Sequence, residues 1–154
     1  MSRRRWLDLV LSGLALVSLG CSTAWACTCV KQDEKQQYAD AEAVFLAEVT
    51  HTALKRADAS KGPPGDVIEA RVDIVEYFKK PGYAIEMVRG LSFLAGDCNI
   101  PLMAGMTYVF FIRARAGGPA NYVGSMCSGS RPVNVYDKDF DRVLEKMRSY
   151  EPGK

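Results

Sequence analysis

Five segments of the chain have the hydrophobic pattern of β-strands. The clearest is residues 67–78, in which apolar and charged side chains alternate, as on a strand with one buried face. Its apolar positions are Ile68, Ala70, Val72 and Ile74. Residues 43–50 are almost wholly apolar, which predicts a strand that is largely buried. We expect three further strands, over residues 84–94, 107–115 and 121–127.

Two helices complete the predicted architecture. Asp33 is a plausible N-cap for a short polar helix, and an apolar stripe near the C-terminus predicts a helix lying on a sheet. The stripe consists of Phe140, Val143, Leu144 and Met147, and Pro152-Gly153 would end that helix. A polar loop is expected over residues 52–66. We therefore predict a mainly β domain: a five-stranded OB-fold-type barrel with a short N-terminal helix and a C-terminal helix.

Residues 1–26 have the organisation of a signal peptide. Three arginines (Arg3 to Arg5) precede an apolar run over residues 9–20, and Ala24-Trp25-Ala26 forms an A-x-A cleavage signal. The run is shorter than the ~20 apolar residues of a transmembrane helix, although an uncleaved anchor is the alternative. The prediction is an exported protein, extracellular or periplasmic, whose mature domain comprises residues 27–154.

A second processing site competes with the first. "VSLGC" (residues 17–21) resembles a bacterial lipoprotein signal, in which Cys21 would be acylated and become the first mature residue. Lipidation at Cys21 would attach the protein to a membrane and would leave Cys27 inside the chain. Ser18 stands where such signals prefer leucine, so we favour cleavage after Ala26.

The charge of the chain and the motifs that it lacks limit the functions to be expected of the protein. The chain has a net charge of +2, and residues 1–26 carry three Arg and one Asp (+2), so the mature part sums to zero and does not indicate a nucleic-acid partner. The single histidine, His51, does not assemble a catalytic triad or dyad, and nucleotide-binding and zinc-protease motifs are missing from the sequence. We expect no enzymatic activity, no cofactor and no resident metal.

Four of the five cysteines belong to the predicted mature chain: Cys27, Cys29, Cys98 and Cys127. An even number in an exported protein favours disulfides. Cys27 and Cys29 are too close in sequence to pair without strain, so each should bond to a distant cysteine. A four-thiolate zinc site is the alternative, but such sites usually use C-x₂₋₄-C pairs.

With cleavage after Ala26, the mature chain begins Cys27-Thr28-Cys29-Val30. This opening resembles the tissue inhibitors of metalloproteinases (TIMPs), whose inhibitory domain is a netrin-like (NTR) OB-fold. The short helix, the strand order, the two later cysteines and the C-terminal helix extend the resemblance over nearly the whole mature chain. It implies two disulfides, Cys27–Cys98 and Cys29–Cys127.

The resemblance also implies a mechanism. The α-amino nitrogen and carbonyl oxygen of Cys27 would chelate the catalytic Zn²⁺ of a target metalloprotease, whose zinc keeps one position open. Thr28 would enter the pocket beside the zinc, and Val30 would flank it along the cleft together with Ala95, Gly96 and Asp97.

Three departures from the family pattern are visible. Lys31 replaces the usual proline, the third bridge of the family's inhibitory domain lacks its cysteines, and the separate C-terminal subdomain is absent from this sequence. The alternative function is an exported netrin-like binding module, with or without a lipid at Cys21, that does not inhibit proteases.

Overall fold

The described residues form one antiparallel sheet and two α-helices. A computed structural model describes residues 32–56, 66–91, 99–113, 123 and 126–151. The helices are α1 (Glu34–Asp40) and α2 (Phe140–Arg148). The strands are β1 (Ala43–Lys55), β2 (Val67–Lys79), β3 (Met87–Leu91), β4 (Thr107–Ile112) and β5 (Arg131–Val133), in the spatial order β3-β2-β1-β4-β5.

The first half of β1 is buried on both faces of the sheet. Its odd-numbered side chains belong to an apolar cluster on one face, which we call the inner cluster. Its even-numbered side chains Val44 and Leu46 belong to a second cluster on the other face, the helix-side cluster, to which both helices contribute. Burial on two faces explains why residues 43–47 form an unbroken apolar run instead of an alternating one.

The inner cluster is built from strands and the segments between them. Phe45 and Phe110 lie at its centre, both fully buried, with ring centroids 5.3 Å apart. The predicted apolar face of β2 is confirmed: Ala70 and Val72 are buried in this cluster, and Ile68 and Ile74 pack against it. The other fully or nearly buried members are Ala43, Ala47, Val49, Ile85, Val88, Ile100, Leu102, Tyr108, Ile112 and Val123.

A β-bulge interrupts the alternation of β2. Leu46 pairs with Glu76 and Ala47 with Ile74, so Val75 is the extra residue and its side chain is 64% exposed. Because of the bulge, Tyr77 reaches the same cluster as Ile74 although it lies an odd number of positions, three, further along the strand. Phe78 then turns to the helix-side cluster.

The two helices cover the opposite face of the sheet. The predicted stripe of α2 is confirmed, since Leu144 and Met147 are buried and Phe140 and Val143 pack against the same cluster. Tyr38 is the buried residue of α1, and its hydroxyl donates to the carbonyl of Phe78. Lys79 caps the end of α1, because its ammonium group donates to the carbonyls of Tyr38, Ala39 and Ala41.

Several element predictions were wrong in their bounds or position. The strand predicted to begin at residue 84 begins at Met87, and the strand predicted to reach residue 115 ends at Ile112. β1 continues to Lys55, so residues 52–55 are strand and not loop. The fifth strand is Arg131–Val133 instead of residues 121–127, where Met126–Ser128 form a 3₁₀ turn and Val123 lies outside any strand. Pro132 lies at the centre of this three-residue edge strand. Because proline is unfavourable inside a sheet, the sequence pattern did not predict a strand there.

The described residues form an open sheet, and a closed barrel is not seen among them. β3 and β5 are the edge strands. One backbone hydrogen bond of 2.6 Å, from the Val123 N–H to the Arg89 carbonyl, connects the chain preceding β5 to β3.

Candidate functional site

Most of the predicted site lies outside the described residues. This holds for Cys27, Thr28 and Val30, for Ala95, Gly96 and Asp97, and for Cys21, Cys29 and Cys98. Cys127 is described: it lies half-buried in the 3₁₀ turn and is disulfide-bonded. Because the other four cysteines are all outside the described residues, its partner is one of them, and the pairing with Cys29 stays a prediction.

The first turn of α1 contacts Cys127. The side-chain amide of Gln37, on α1, donates to the carbonyl of Cys127 over 3.2 Å. Gln32, two residues before α1, accepts a hydrogen bond of 3.1 Å from the guanidinium of Arg113, just beyond β4. The first turn of α1 and the residue before its cap are therefore fixed against the end of β4 and the 3₁₀ turn.

Glu34 connects this first turn to two other elements. One carboxylate oxygen accepts from Arg131 on β5 over 2.8 Å, and the other accepts from Lys146 on α2. Arg131 also donates to the carbonyl of Gly129 over 3.1 Å. Burial by itself would raise the pKa of Glu34, but the hydrogen bonds and positive charges of Lys146 and Arg131 outweigh it, so the pKa is lowered from its ordinary value.

The chain between Cys127 and β5 is attached to β4 through a side chain. The hydroxyl of Ser130 is buried, accepts from the Phe111 N–H over 2.8 Å and donates back to the Phe111 carbonyl over 3.3 Å. Gly129 has φ +96°, and a Cβ there would lie 2.7 Å from the side-chain oxygen of Gln37. The backbone conformation thus favours glycine at this position, and a Cβ there would in addition displace the end of the Gln37 side chain.

The described chain resumes at Asn99, directly after Cys98, and its first residues pack into the core. Asn99 is 9% exposed, and Ile100 and Leu102 belong to the inner cluster. The hydroxyl of Tyr108 fixes this segment, since it donates to the Pro101 carbonyl and accepts from the Met103 N–H. The residues that follow Cys98 in sequence are therefore buried. Ser128, which follows Cys127, is buried as well.

A shallow cleft of about 490 Å³ lies elsewhere, between the turn before β4 and the segment after β5. Tyr136, 93% exposed, and Val135, 43% exposed, stand at this cleft. Its lining is formed by Gly105, Met106, Thr107, Pro132, Val133, Asn134, Val135 and Tyr136. None of the described residues that line the cleft supplies a carboxylate, imidazole, thiol or amine.

Metal-binding groups of three or more His, Cys, Asp or Glu side chains are not found within the described ranges. His51 lies exposed on β1. In the part of the chain that the structure describes, we find no helix with the length and apolar character needed to cross a membrane.

Comparison with known proteins adds no relatives to this picture. No protein-family model matches the chain, and no curated protein is significantly similar to it.

Sequence reasoning did not find the polar contacts around Cys127. Glu34 has the pattern of an acidic residue in a first helical turn, which by itself indicates only a favourable interaction with the helix dipole. Gln37 and Ser130 act through tertiary contacts with residues 90 and 19 positions away, and Gly129 acts through a turn. Hydrophobic periodicity indicates neither tertiary hydrogen bonds of this kind nor a glycine that a turn requires.

Proposed function

We propose that the protein is an exported inhibitor of zinc metalloproteases that acts through a mature N-terminus at Cys27. The observation that carries the proposal is the environment of Cys127: this cysteine is disulfide-bonded and is hydrogen-bonded to α1, whose N-cap follows the C-T-C-V segment after only two residues. An inhibitor with a cross-linked N-terminus needs a bridged cysteine close to the helix that follows that terminus. Cys127 is disulfide-bonded and contacts α1, so it meets this requirement.

Chain reach is compatible with the proposed pairing of Cys29 with Cys127. Cys29 lies three residues before Gln32, which is held by Arg113, and three residues span at most about 10 Å. A disulfide requires Cα atoms about 4.4–6.8 Å apart. Cys127 contacts Gln37 in the first turn of α1, which is compatible with a bridge to a cysteine shortly before that helix; the choice of Cys29 over Cys27 is what the TIMP resemblance implies.

An OB-type barrel is proposed as the scaffold. The described sheet has the five antiparallel strands of that class and contains them in one sheet. Closure would require the edge strands β3 and β5 to come together. The hydrogen bond from the Val123 N–H to the Arg89 carbonyl supports this, because Val123 lies shortly before β5 in sequence and contacts the opposite edge strand, β3.

The proposed chemistry needs no metal in the inhibitor. An α-amine has a pKa of about 7.7–8.0, so its neutral, zinc-ligating form is readily available near neutral pH. The amine and carbonyl of Cys27 would form a five-membered chelate at the open zinc position of the protease. Thr28 would then point into the adjacent pocket, with Val30 and Ala95-Gly96-Asp97 along the cleft. Cross-links that order this segment before binding lower the entropic cost of association.

The test compares three forms of the mature chain. Residues 27–154, the same chain with one alanine added before Cys27, and a control with one alanine added after Lys154 are assayed against a panel of zinc endopeptidases. We expect the first and third forms to inhibit equally and the N-terminal extension to raise Ki at least a hundredfold, because it converts the amine into an amide. Intact mass with and without reduction establishes the starting residue and the bridges beforehand.

Two outcomes would contradict the proposal. Equal inhibition by the N-terminally extended form would mean that the amine of Cys27 is not a ligand. If no form inhibits any zinc endopeptidase, or if the natural protein begins at an acylated Cys21, the netrin-like binding module becomes the better account.

A further inference from the structure

The two helices cover only part of the helix-side face of the sheet. One row of cross-strand partners lies beneath them, formed by Glu76, Leu46, Val109 and Arg131. Leu46 and Val109 are buried there, and Arg148 of α2 donates to both carboxylate oxygens of Glu76 over 2.7 and 2.8 Å. The cover of helices ends at the next row of the same face.

That next row, which we call the open row, consists of Asp73 on β2, Glu48 on β1, Thr107 on β4 and Val133 on β5. Because side chains alternate between the two faces of a strand, Glu48 lies on the same face as Leu46. Val133 packs against the helix-side cluster, which places the row on that face independently. Glu48 and Asp73 are exposed, and Thr107 and Val133 are partly buried.

Two carboxylates face each other at one end of the open row. Glu48 and Asp73 are direct partners on neighbouring strands, and like charges in that position destabilise a sheet. Within the described ranges no cation forms an ion pair with either of them, whereas Glu69 and Glu76 on the same sheet are each paired with an arginine. Arg71, opposite His51, belongs to the row beyond. The negative charge of the open row is therefore not neutralised by an ion pair within the described fold.

The other end of the open row is apolar. Thr107 and Val133 also line the cleft between the turn before β4 and the segment after β5. Tyr136, in the same lining, is 93% exposed, and its N–H donates to the side-chain oxygen of Asn134 over 3.0 Å. A tyrosine on a turn that is fixed in this way offers a large contact surface at a small entropic cost.

The sheet sets the distance between these two ends. Neighbouring strands lie about 4.8 Å apart, so Val133 on β5 is about 10 Å from Glu48 on β1 and about 14 Å from Asp73 on β2. An extended chain advances about 3.3 Å per residue. Three or four residues of an extended peptide therefore span the open row from its apolar end to its carboxylates.

We propose that the open row and the adjoining cleft bind an extended basic segment of a partner protein. An apolar side chain of that segment packs against Tyr136, and a lysine or arginine three or four positions away binds Glu48 and Asp73. Charge complementarity selects this occupant, because a cation between the two carboxylates removes their mutual repulsion and an acidic segment would add to it. The proposal is independent of the protease inhibition proposed above.

The test titrates the exported protein, with its disulfides intact, with synthetic peptides and follows its amide resonances by ¹⁵N–¹H NMR. The probe is acetyl-GPLGAKRG-amide, in which leucine precedes lysine and arginine by three and four positions. Two control peptides each change one feature: GPLGAEDG reverses the charge, and GPLKRGAG has the same composition with the cations next to leucine. We expect the probe to shift the amides of Glu48, Thr107 and Val133, and to bind at least fivefold more tightly than either control.

The matched variants remove two negative charges each. Glu48→Gln/Asp73→Asn changes the open row, whereas Asp141→Asn/Glu145→Gln changes two exposed carboxylates of α2. We expect the first to weaken binding of the probe at least tenfold and the second to change it less than twofold. Tyr136→Ala should weaken it at least fivefold. Because removal of facing like charges does not destabilise a sheet, urea denaturation of the first variant should show no loss of stability.

Several outcomes would overturn the inference. They are the absence of binding at millimolar probe, equally tight binding of the acidic peptide, an equal loss in the α2 variant, and shifts confined to amides away from the open row. If the amides of the open row shift with protein concentration before any peptide is added, the occupant is a second copy of this chain and the proposed partner segment is wrong.

Discussion

The two faces of the sheet are stabilised in different ways. The inner cluster consists of strand side chains and of the segment around Ile100, and aromatic contacts join Phe45, Tyr108 and Phe110. The helix-side cluster depends in addition on polar tethers, among them Lys79 at the end of α1 and Glu34 at its start. The comparison teaches that the inner cluster follows mainly from apolar patterning, with the two hydrogen bonds of the Tyr108 hydroxyl in addition, whereas the two helices on the other face are held by ion pairs and a lysine cap as well as by apolar packing.

The largest expected effect comes from two neighbours on β4 that point to opposite faces. Phe110→Ala and Phe111→Ala each empty a fully buried site and should each lower the free energy of unfolding by about 3–5 kcal/mol. We expect hydrogen exchange to separate them, because only Phe111→Ala removes a contact surface of α1 and α2. Equal acceleration of the helix amides in both variants, beyond the global change, would mean that the faces are not independent.

A smaller effect is expected from two glycines in the left-handed region. Gly105 has φ +81°, and a Cβ added there would have nothing within 4 Å, whereas at Gly129 the Cβ would meet Gln37 at 2.7 Å. Gly105→Ala should therefore cost only the conformational strain, about 1–2 kcal/mol, and Gly129→Ala should cost more. Urea denaturation measures both variants. A Gly105→Ala cost equal to or above that of Gly129→Ala would show that Gln37 moves aside freely.

The smallest effect is the contribution of Glu34 to stability and its dependence on pH. Folding lowers the pKa of Glu34 from 4.5, so the stabilisation is complete above pH 4.5 and is lost as the pH falls through the folded-state pKa. Glu34→Gln should be less stable by about 1 kcal/mol at pH 7, and this deficit should shrink below pH 4.5. Urea denaturation at pH 7, 5 and 3 measures the deficit.

The matched control for that series is Asp139→Asn. Asp139, the residue directly before α2, forms an exposed ion pair with Arg142 in the helix, and the substitution breaks this pair. Exposed pairs of this spacing contribute about 0.3–0.5 kcal/mol, so this variant should remain close to the parent at pH 7. A Glu34→Gln deficit that stays constant down to pH 3 would contradict the role of the charged carboxylate.

Much of the fold could be predicted from the sequence because burial leaves a periodic pattern. The alternation of β2 and the stripe of α2 identified both elements, and the apolar run after Glu42 identified β1. β5 could not be found in this way, because three residues centred on Pro132 carry no period. The strand predicted over residues 121–127 is wrong for the opposite reason: the segment has several side chains typical of strands, but Val123 lies outside any strand and Met126–Ser128 form a 3₁₀ turn.

In the candidate site, too, one feature could be predicted from the sequence and the others could not. The sequence indicated Cys127 as a bridged cysteine through the even cysteine count, a chemical argument independent of the fold. It gave no sign that Gln37 would contact Cys127 or that Arg131 would reach Glu34, 97 residues away. Such contacts depend on how distant elements pack, which local residue preferences do not encode.

Pro132 has a consequence for how the chain behaves among copies of itself. A β-strand at the edge of a sheet offers N–H and C=O groups to any other extended chain, which makes edges starting points for aggregation. β5 is three residues long, and its middle residue has no N–H to offer. An incoming strand would therefore find a donor missing at the centre of this edge, so Pro132 should discourage sheet-to-sheet polymerisation there while leaving the pairing with β4 intact.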